Sequence, residues 1–165
     1  MKPSVRIVAV VGNPGDRSRT KVLAQAITDR LLASLAAHVS VHLQVLEIAR
    51  LAPSIGRVSF ASELPPEGAA ALRAIESADL IVAATPVYKG SYTGLFKHLF
   101  DLLDPEALVG RPVLLAANGG SDRHSLVVDH QVRPLFAFFR ALTLPSAVYA
   151  SEIDFAGYSL RTRPG

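Results

Sequence analysis

The sequence predicts an α/β fold: a doubly wound parallel sheet with helices on both faces. Three observations predict it. Continuous apolar runs recur along the 165 residues, segments of helical period separate them, and turns rich in Gly, Pro, Ser and Asn follow them. A run that is apolar at every position suits a strand buried on both faces, whereas a strand with one wet face alternates.

The elements follow in chain order. Ile7-Val8-Ala9-Val10-Val11, Leu80-Ile81-Val82-Ala83-Ala84 and Val113-Leu114-Leu115-Ala116-Ala117 are continuous runs and read as central strands. Val41-His42-Leu43-Gln44-Val45 alternates and Ala147-Val148-Tyr149-Ala150 is short, so these read as edge strands. Five parallel strands with the second and fifth outermost match the flavodoxin-like order 2-1-3-4-5. Leu23, Ile27, Leu31 and Leu35 mark one face of a first helix, and Leu72, Ile75 and Ala78 mark a second after Pro65-Pro66. Between them, residues 49–64 show no clear period and are expected to be irregular. A third helix runs from about Leu95, with His98 expected at the surface near Asp101.

On a fourth helix Val128, Val132, Leu135, Phe139 and Leu142 share a face, yet Pro134 lies within it. Proline donates no bond to the His130 carbonyl and clashes with it, which predicts a wide π-type turn between about 127 and 134. The whole chain, 1–165, reads as a single domain. After the fifth strand only residues 151–165 remain, polar and ending Arg161-Thr162-Arg163-Pro164-Gly165, with no closing helix in view. Either a partner chain covers that flank or the natural protein is longer.

Composition narrows the function classes. Half the residues are hydrophobic and 19% are charged, as in a globular protein. Cysteine is absent, which removes disulfides, thiolate metal sites and a catalytic thiol, so any redox chemistry belongs to a bound cofactor. The net charge of +3 is spread along the chain and gives no basis for nucleic-acid binding. No apolar run approaches a membrane span and the N-terminus lacks a signal peptide, so a cytoplasmic location is expected. The five histidines show no metal-ligand spacing, and no metal site is expected.

Three loops follow the three central strands, where open α/β sheets bind ligands. The first, Gly12-Asn13-Pro14-Gly15-Asp16-Arg17-Ser18-Arg19-Thr20, leads into a helix whose free amides favour an anion. Hydroxyls of Ser18 and Thr20 and a guanidinium of Arg17 or Arg19 suit a phosphate monoester. On this loop alone, a capped helix start with solvated arginines explains the residues equally well. No Gly-Lys-Ser/Thr tripeptide occurs, and only Gly12 and Gly15 stand where a dinucleotide fingerprint needs three glycines, so a mononucleotide end fits best.

The second loop, Thr85-Pro86-Val87-Tyr88-Lys89-Gly90-Ser91-Tyr92-Thr93-Gly94, offers two aromatic rings, backbone amides and little charge, which suits a flat ring system. The third, Asn118-Gly119-Gly120-Ser121-Asp122, permits close backbone approach to such a ring. By itself it is also an ordinary helix-entry turn. No residue stands out as a general acid, base or nucleophile. Hydride transfer between two bound rings needs none, because orientation and exclusion of water carry most of it.

Together these loops resemble the NAD(P)H-dependent FMN reductases of the flavodoxin-like superfamily, over about Val5 to Phe155. The resemblance is strongest to the reductase components of two-component alkanesulfonate and methanesulfonate monooxygenase systems. Its most specific part is Thr85-Pro86-Val87-Tyr88-Lys89-Gly90-Ser91-Tyr92 with Gly94, Lys97, Asp101, Leu102 and Leu103. Gly119-Gly120 and residues 124–134 support it, and the first loop matches more loosely. The resemblance implies that Ser18, Arg19 and Thr20 hold the FMN phosphate. It implies that Pro86, Val87, Tyr88, Lys89, Gly90 and Ser91 wrap the isoalloxazine, and that Asn118, Gly119, Gly120 and Ser121 line its other side. It implies NADPH or NADH as hydride donor, reduced flavin released to a partner FMNH2-dependent monooxygenase, and a homodimer or homotetramer. In the sulfonate-system reductases a π-helical turn with an inserted Tyr or His lies at the subunit interface, and His130, ahead of Pro134, matches it.

Two other readings accompany this one. An FMN-containing quinone or azo reductase would pass electrons to an organic acceptor. A flavodoxin-type electron carrier would dock to partners without a nicotinamide site, although a pI near 9.5 argues against the acidic surface of such carriers.

Overall fold

The structure, a computed structural model, describes residues 2–161, so the end of the polar tail at 162–165 lies outside the described residues. Five parallel neighbours stand in the order β2-β1-β3-β4-β5, with β6 also on β4. They are β1 (Ser4–Val11), β2 (Ser40–Glu47), β3 (Leu80–Pro86), β4 (Pro112–Gly119), β5 (Leu142–Thr143) and β6 (Val148–Ser151). The flavodoxin-like order is therefore present.

The continuous apolar runs become strands covered on both sides. Val8, Val10, Ile81, Ala83, Val113, Leu115 and Ala117 alternate onto one face. There they meet α2 (Ile48–Ile55), α3 (Pro66–Ser77), α4 (Gly94–Asp101), a π-helix (Val128–Val132) and α5 (Arg133–Phe138). Phe96, Phe100 and Phe136 are fully buried there, with successive ring centroids 4.9 Å apart. Each such ring contributes roughly 1.5–3 kcal/mol by burial alone. The opposite face, with Ile7, Ala9, Val11, Val82, Ala84 and Ala116, is covered by α1 (Arg19–Leu35). Beside α1 it is covered by the hairpin of β7 (Phe155–Ala156) and β8 (Ser159–Leu160), through Phe155 and Leu160.

Four expectations change. Residues 49–64 are not irregular: α2 occupies their first half, and Ala61–Glu63 forms a 3-10 turn. Ile48, Leu51 and Ile55 form a buried helical stripe, which outweighs the bond that Pro53 cannot donate to Ala49. Leu142 does not share the fourth helix face but lies exposed in β5. The helix stops because Arg140 adopts φ +53, with Arg140 N donating to the Ala137 carbonyl and Ala141 N to that of Phe136. That is a Schellman closure with arginine in the usual glycine position.

The fifth sheet position is shared by two strands. β5 pairs with Pro112 and Val113, β6 with Ala116 to Gly119, and Pro145 lies in the interruption, where its missing N–H cannot join the ladder. His98 is half-buried, with Nε2 2.9 Å from the Ile55 carbonyl, while Asp101 pairs with Lys97 at 2.6 Å.

Candidate functional site

The carboxyl ends of β1, β3 and β4 bring the three loops side by side, and Asn118 joins them. Its side-chain oxygen accepts from the Thr20 hydroxyl at 2.6 Å, and its carbonyl accepts from Val87 N at 2.8 Å. One residue at the end of β4 thus ties the first helix to the loop after β3. A second tie is the buried Thr93, which caps α4 by accepting from Phe96 N and donates its hydroxyl to the Gly12 carbonyl at 2.7 Å.

In the first loop Ser18 is the N-cap of α1, its hydroxyl accepting from Lys21 N at 2.9 Å. The amides of Arg19 and Thr20 have no intrahelical acceptor, as in any first turn, and remain for an anion. Thr20 is buried, and Arg19 turns toward the β7–β8 hairpin. Asn13 shapes the loop, donating from Nδ2 to the carbonyls of Gly15 and Arg17. Gly12 is required by space: a Cβ there would lie 2.7 Å from Phe96 Cδ2 and 3.1 Å from the Ala84 carbonyl oxygen.

The second loop is a tight hairpin. Pro86 ends β3 opposite Asn118, and Tyr88 and Ser91 exchange backbone bonds in both directions. Lys89 and Gly90 between them both take positive φ, +51° and +84°, the backbone of a type I′ turn. Tyr88 is exposed, whereas Tyr92 packs 6.0 Å from the Phe96 ring. Ser91 donates from its hydroxyl to Gln131 of the π-helix at 3.1 Å.

The third loop carries bare backbone. A Cβ on Gly120 would meet nothing within 4 Å, so that side of the crevice is open to a ligand plane. Gly119 leaves room for Tyr149, whose hydroxyl donates to the Ser121 carbonyl at 2.7 Å. Desolvation, followed by the negative charge of Asp122, pushes the Tyr149 phenol above its ordinary value, so it stays a donor. Amide-rich loops and an open glycine floor, with no buried charged side chain among the described residues, leave the crevice able to take an anion at the α1 start and a flat ring between the second and third loops.

The π-helix holds Val128 to Val132, with Arg133 N donating to the Val128 carbonyl five residues back. His130 on it and Pro134 at the start of α5 are both exposed, and Pro134 provides no N–H for the His130 carbonyl. A cavity of about 540 Å3 lies between α4 and the π-helix with α5, lined among others by Tyr92, Lys97, Phe100, His130 and Phe138. Among the described residues no group of three or more His, Asp or Glu is placed to hold a metal ion, and no helix is long and apolar enough to cross a membrane.

Several functional residues escaped the sequence reading. Thr93 and Asn13 look like ordinary turn residues until their partners are seen. The tail hairpin had a legible signal in Gly157, which begins a two-residue turn between short apolar stretches.

Comparison with known proteins agrees with this geometry. The family described as NADPH-dependent FMN reductase matches residues 5–155. The NADH-dependent FMN reductase SfnF of Pseudomonas fluorescens is 51% identical over 164 residues, 99% of this chain and 86% of the relative. The FMN reductase (NADPH) of Pseudomonas aeruginosa is 49% identical over the same shares. Among solved structures, an oxidoreductase from Corynebacterium diphtheriae superposes with a TM-score of 0.84 at 34% identity, covering 93% of this chain and 85% of that one. An NADH:FMN oxidoreductase solved in its apo form gives 0.73 at 30% identity, covering 88% and 75%.

Proposed function

The chain belongs to the NADPH-dependent FMN reductase family, and from that premise we propose that it supplies reduced flavin to a separate FMNH2-dependent monooxygenase. The protein is an NAD(P)H:FMN oxidoreductase, with FMN and a nicotinamide nucleotide as its reactants. The finer reading is a cytoplasmic, single-domain enzyme of organosulfonate sulfur assimilation. The observation that carries the site assignment is the pair of bonds at Asn118, which draws the first and second loops against the third.

When bound, FMN supplies a ring that takes two electrons from a reduced nicotinamide and passes them on. The chain's part is placement. Ser18, Arg19 and Thr20 hold the phosphate end, with the free amides of the α1 start aligned by the Ser18 cap. Pro86, Val87, Tyr88, Lys89, Gly90 and Ser91 form one wall around the ring. Asn118, Gly119, Gly120 and Ser121 form the other, and their bare backbone leaves a face open for the nicotinamide. No side chain has to accept or donate a proton for the transfer, so orientation and exclusion of water carry the rate.

Copies of the chain meet through the π-helix in a homodimer or homotetramer. The support is apolar surface left exposed on either side of it, at Leu126 before it (59% accessible) and Phe138 at the end of α5 (67%), beside the cavity at His130. The Ser91–Gln131 bond runs from that face to the ring loop.

NAD(P)H oxidation measured with FMN varied, then with quinone and dye acceptors, tests the reading. Saturable dependence on free FMN is expected. Turnover only with an organic acceptor supports the quinone or azo reductase instead, and no oxidation supports an electron carrier.

A further inference from the structure

Arg19, at the first turn of α1, finds its partners 133 to 138 positions along the chain, at Glu152 and Gly157. Its Nε donates to the Gly157 carbonyl at 2.8 Å, and a terminal nitrogen lies 3.4 Å from Glu152 Oε1. Its guanidinium carbon sits 5.6 Å from the Phe155 ring centroid and 5.9 Å from that of Tyr158. Arg17 approaches the same Tyr158 ring at 6.0 Å. All three distances lie within the range of cation–π attraction.

The hairpin is constructed to hold this arrangement. Phe155 is buried with Leu23, Ala24, Ala116 and Ala150, so one aromatic wall is fixed by the core. Gly157 takes φ +64 in the turn whose carbonyl meets Arg19. Arg161 closes the base, its backbone N donating to the Asp154 carbonyl and its Nε to that of Phe155. Tyr158 stays half-exposed.

We propose that residues 152–158 form a positioning clamp for Arg19 and Arg17, making Phe155, Gly157 and Tyr158 determinants of the preference for phosphorylated over unphosphorylated flavin. The clamp rests on the assignment of the phosphate to Ser18, Arg19 and Thr20. An unrestrained arginine occupies many rotamers, and ordering it opposes binding each time an anion arrives. Here the Nε bond and two ring faces have ordered Arg19 beforehand. Two nearby guanidinium groups also repel, and the Tyr158 π-face offsets part of that repulsion. Among the described residues Arg19 has one ion pair, to Glu152 at a long, exposed distance, and Arg17 has none. The clamp therefore keeps two guanidinium groups beside the free amides of α1, where a phosphate dianion is favoured.

The test uses steady-state kinetics of the intact chain with FMN and with riboflavin as acceptor. Tyr158→Leu is expected to raise the KM for FMN about three- to tenfold, with the KM for riboflavin and both kcat values unchanged. Tyr158→Phe, which keeps the ring face, should restore the FMN value. Equal rises for both flavins, or a Phe variant no better than Leu, would mean the hairpin is only structural and overturn the clamp. An unchanged FMN preference in Tyr158→Leu overturns the clamp alone. A wild-type enzyme that does not prefer FMN to riboflavin overturns the phosphate assignment and the clamp with it.

Discussion

The loops after β1 and β3 lie side by side and draw on different proportions of internal and external bonds. The loop after β3 closes on itself: Tyr88 and Ser91 exchange two backbone bonds around a two-residue turn. The loop after β1 has no such closure. Asn13 shapes it from within, and it is anchored mostly from outside, by the Gly12 amide on the Ala84 carbonyl, by Thr93, by Thr20 on Asn118, and by Arg19 on the tail hairpin. A self-closed loop tolerates change elsewhere, whereas a loop held from outside transmits changes made in α4, β4 or the chain's end. The ring site should therefore be locally robust, and the phosphate site sensitive to remote residues.

The largest expected effect is at the root of the externally held loop. Gly12→Ala places a methyl against the buried Phe96 ring and the Ala84 carbonyl, and should cost about 1–3 kcal/mol of stability. Urea unfolding of the variant checks this; an unchanged midpoint would mean the Gly12 approach is not tight. Next comes Arg19→Ala, expected to weaken FMN binding about tenfold or more through a lost charged hydrogen bond. Riboflavin binding should change little, and titration of both flavins gives the comparison directly. Equal weakening removes the phosphate from this loop.

Tyr88→Ala should then weaken FMN and riboflavin alike, about three- to tenfold, by loss of an aromatic contact. The fold should remain, since the backbone pair at Tyr88 and Ser91 does not use the ring. Unchanged affinities would put the flavin ring elsewhere. The smallest effect is a gain. Lys89 holds φ +51 without being glycine, so Lys89→Gly should stabilise the protein by roughly 0.5–1 kcal/mol. A lower melting temperature would show that the Lys89 side chain makes a stabilising contact.

The same contrast explains what was legible. The ring loop could be read because its chemistry is local: a proline, two glycines and two tyrosines directly follow a buried run. The π-helix between Val128 and Val132 was also written locally, in a proline that cannot bond four residues back. The phosphate loop was only half legible, because Ser18 as a cap is a local signal and Thr20 on Asn118 is not. Helix α2 was missed because its stripe of Ile48, Leu51 and Ile55 is brief and contains Pro53, and only burial against the sheet makes it a helix.

By itself, the sequence determined the strand order, the placement of three loops above the central strands, and the family of the enzyme. Apolar periodicity and turn chemistry are properties of neighbours along the chain, and they survive without knowledge of the fold. Tertiary structure alone decided that Asn118 joins the loops, that Thr93 anchors Gly12, and that the last strands hold Arg19. Each of those contacts spans between 31 and 138 positions. No local pattern records a partner so distant, because the bond exists only once the sheet has brought both ends to the same crevice.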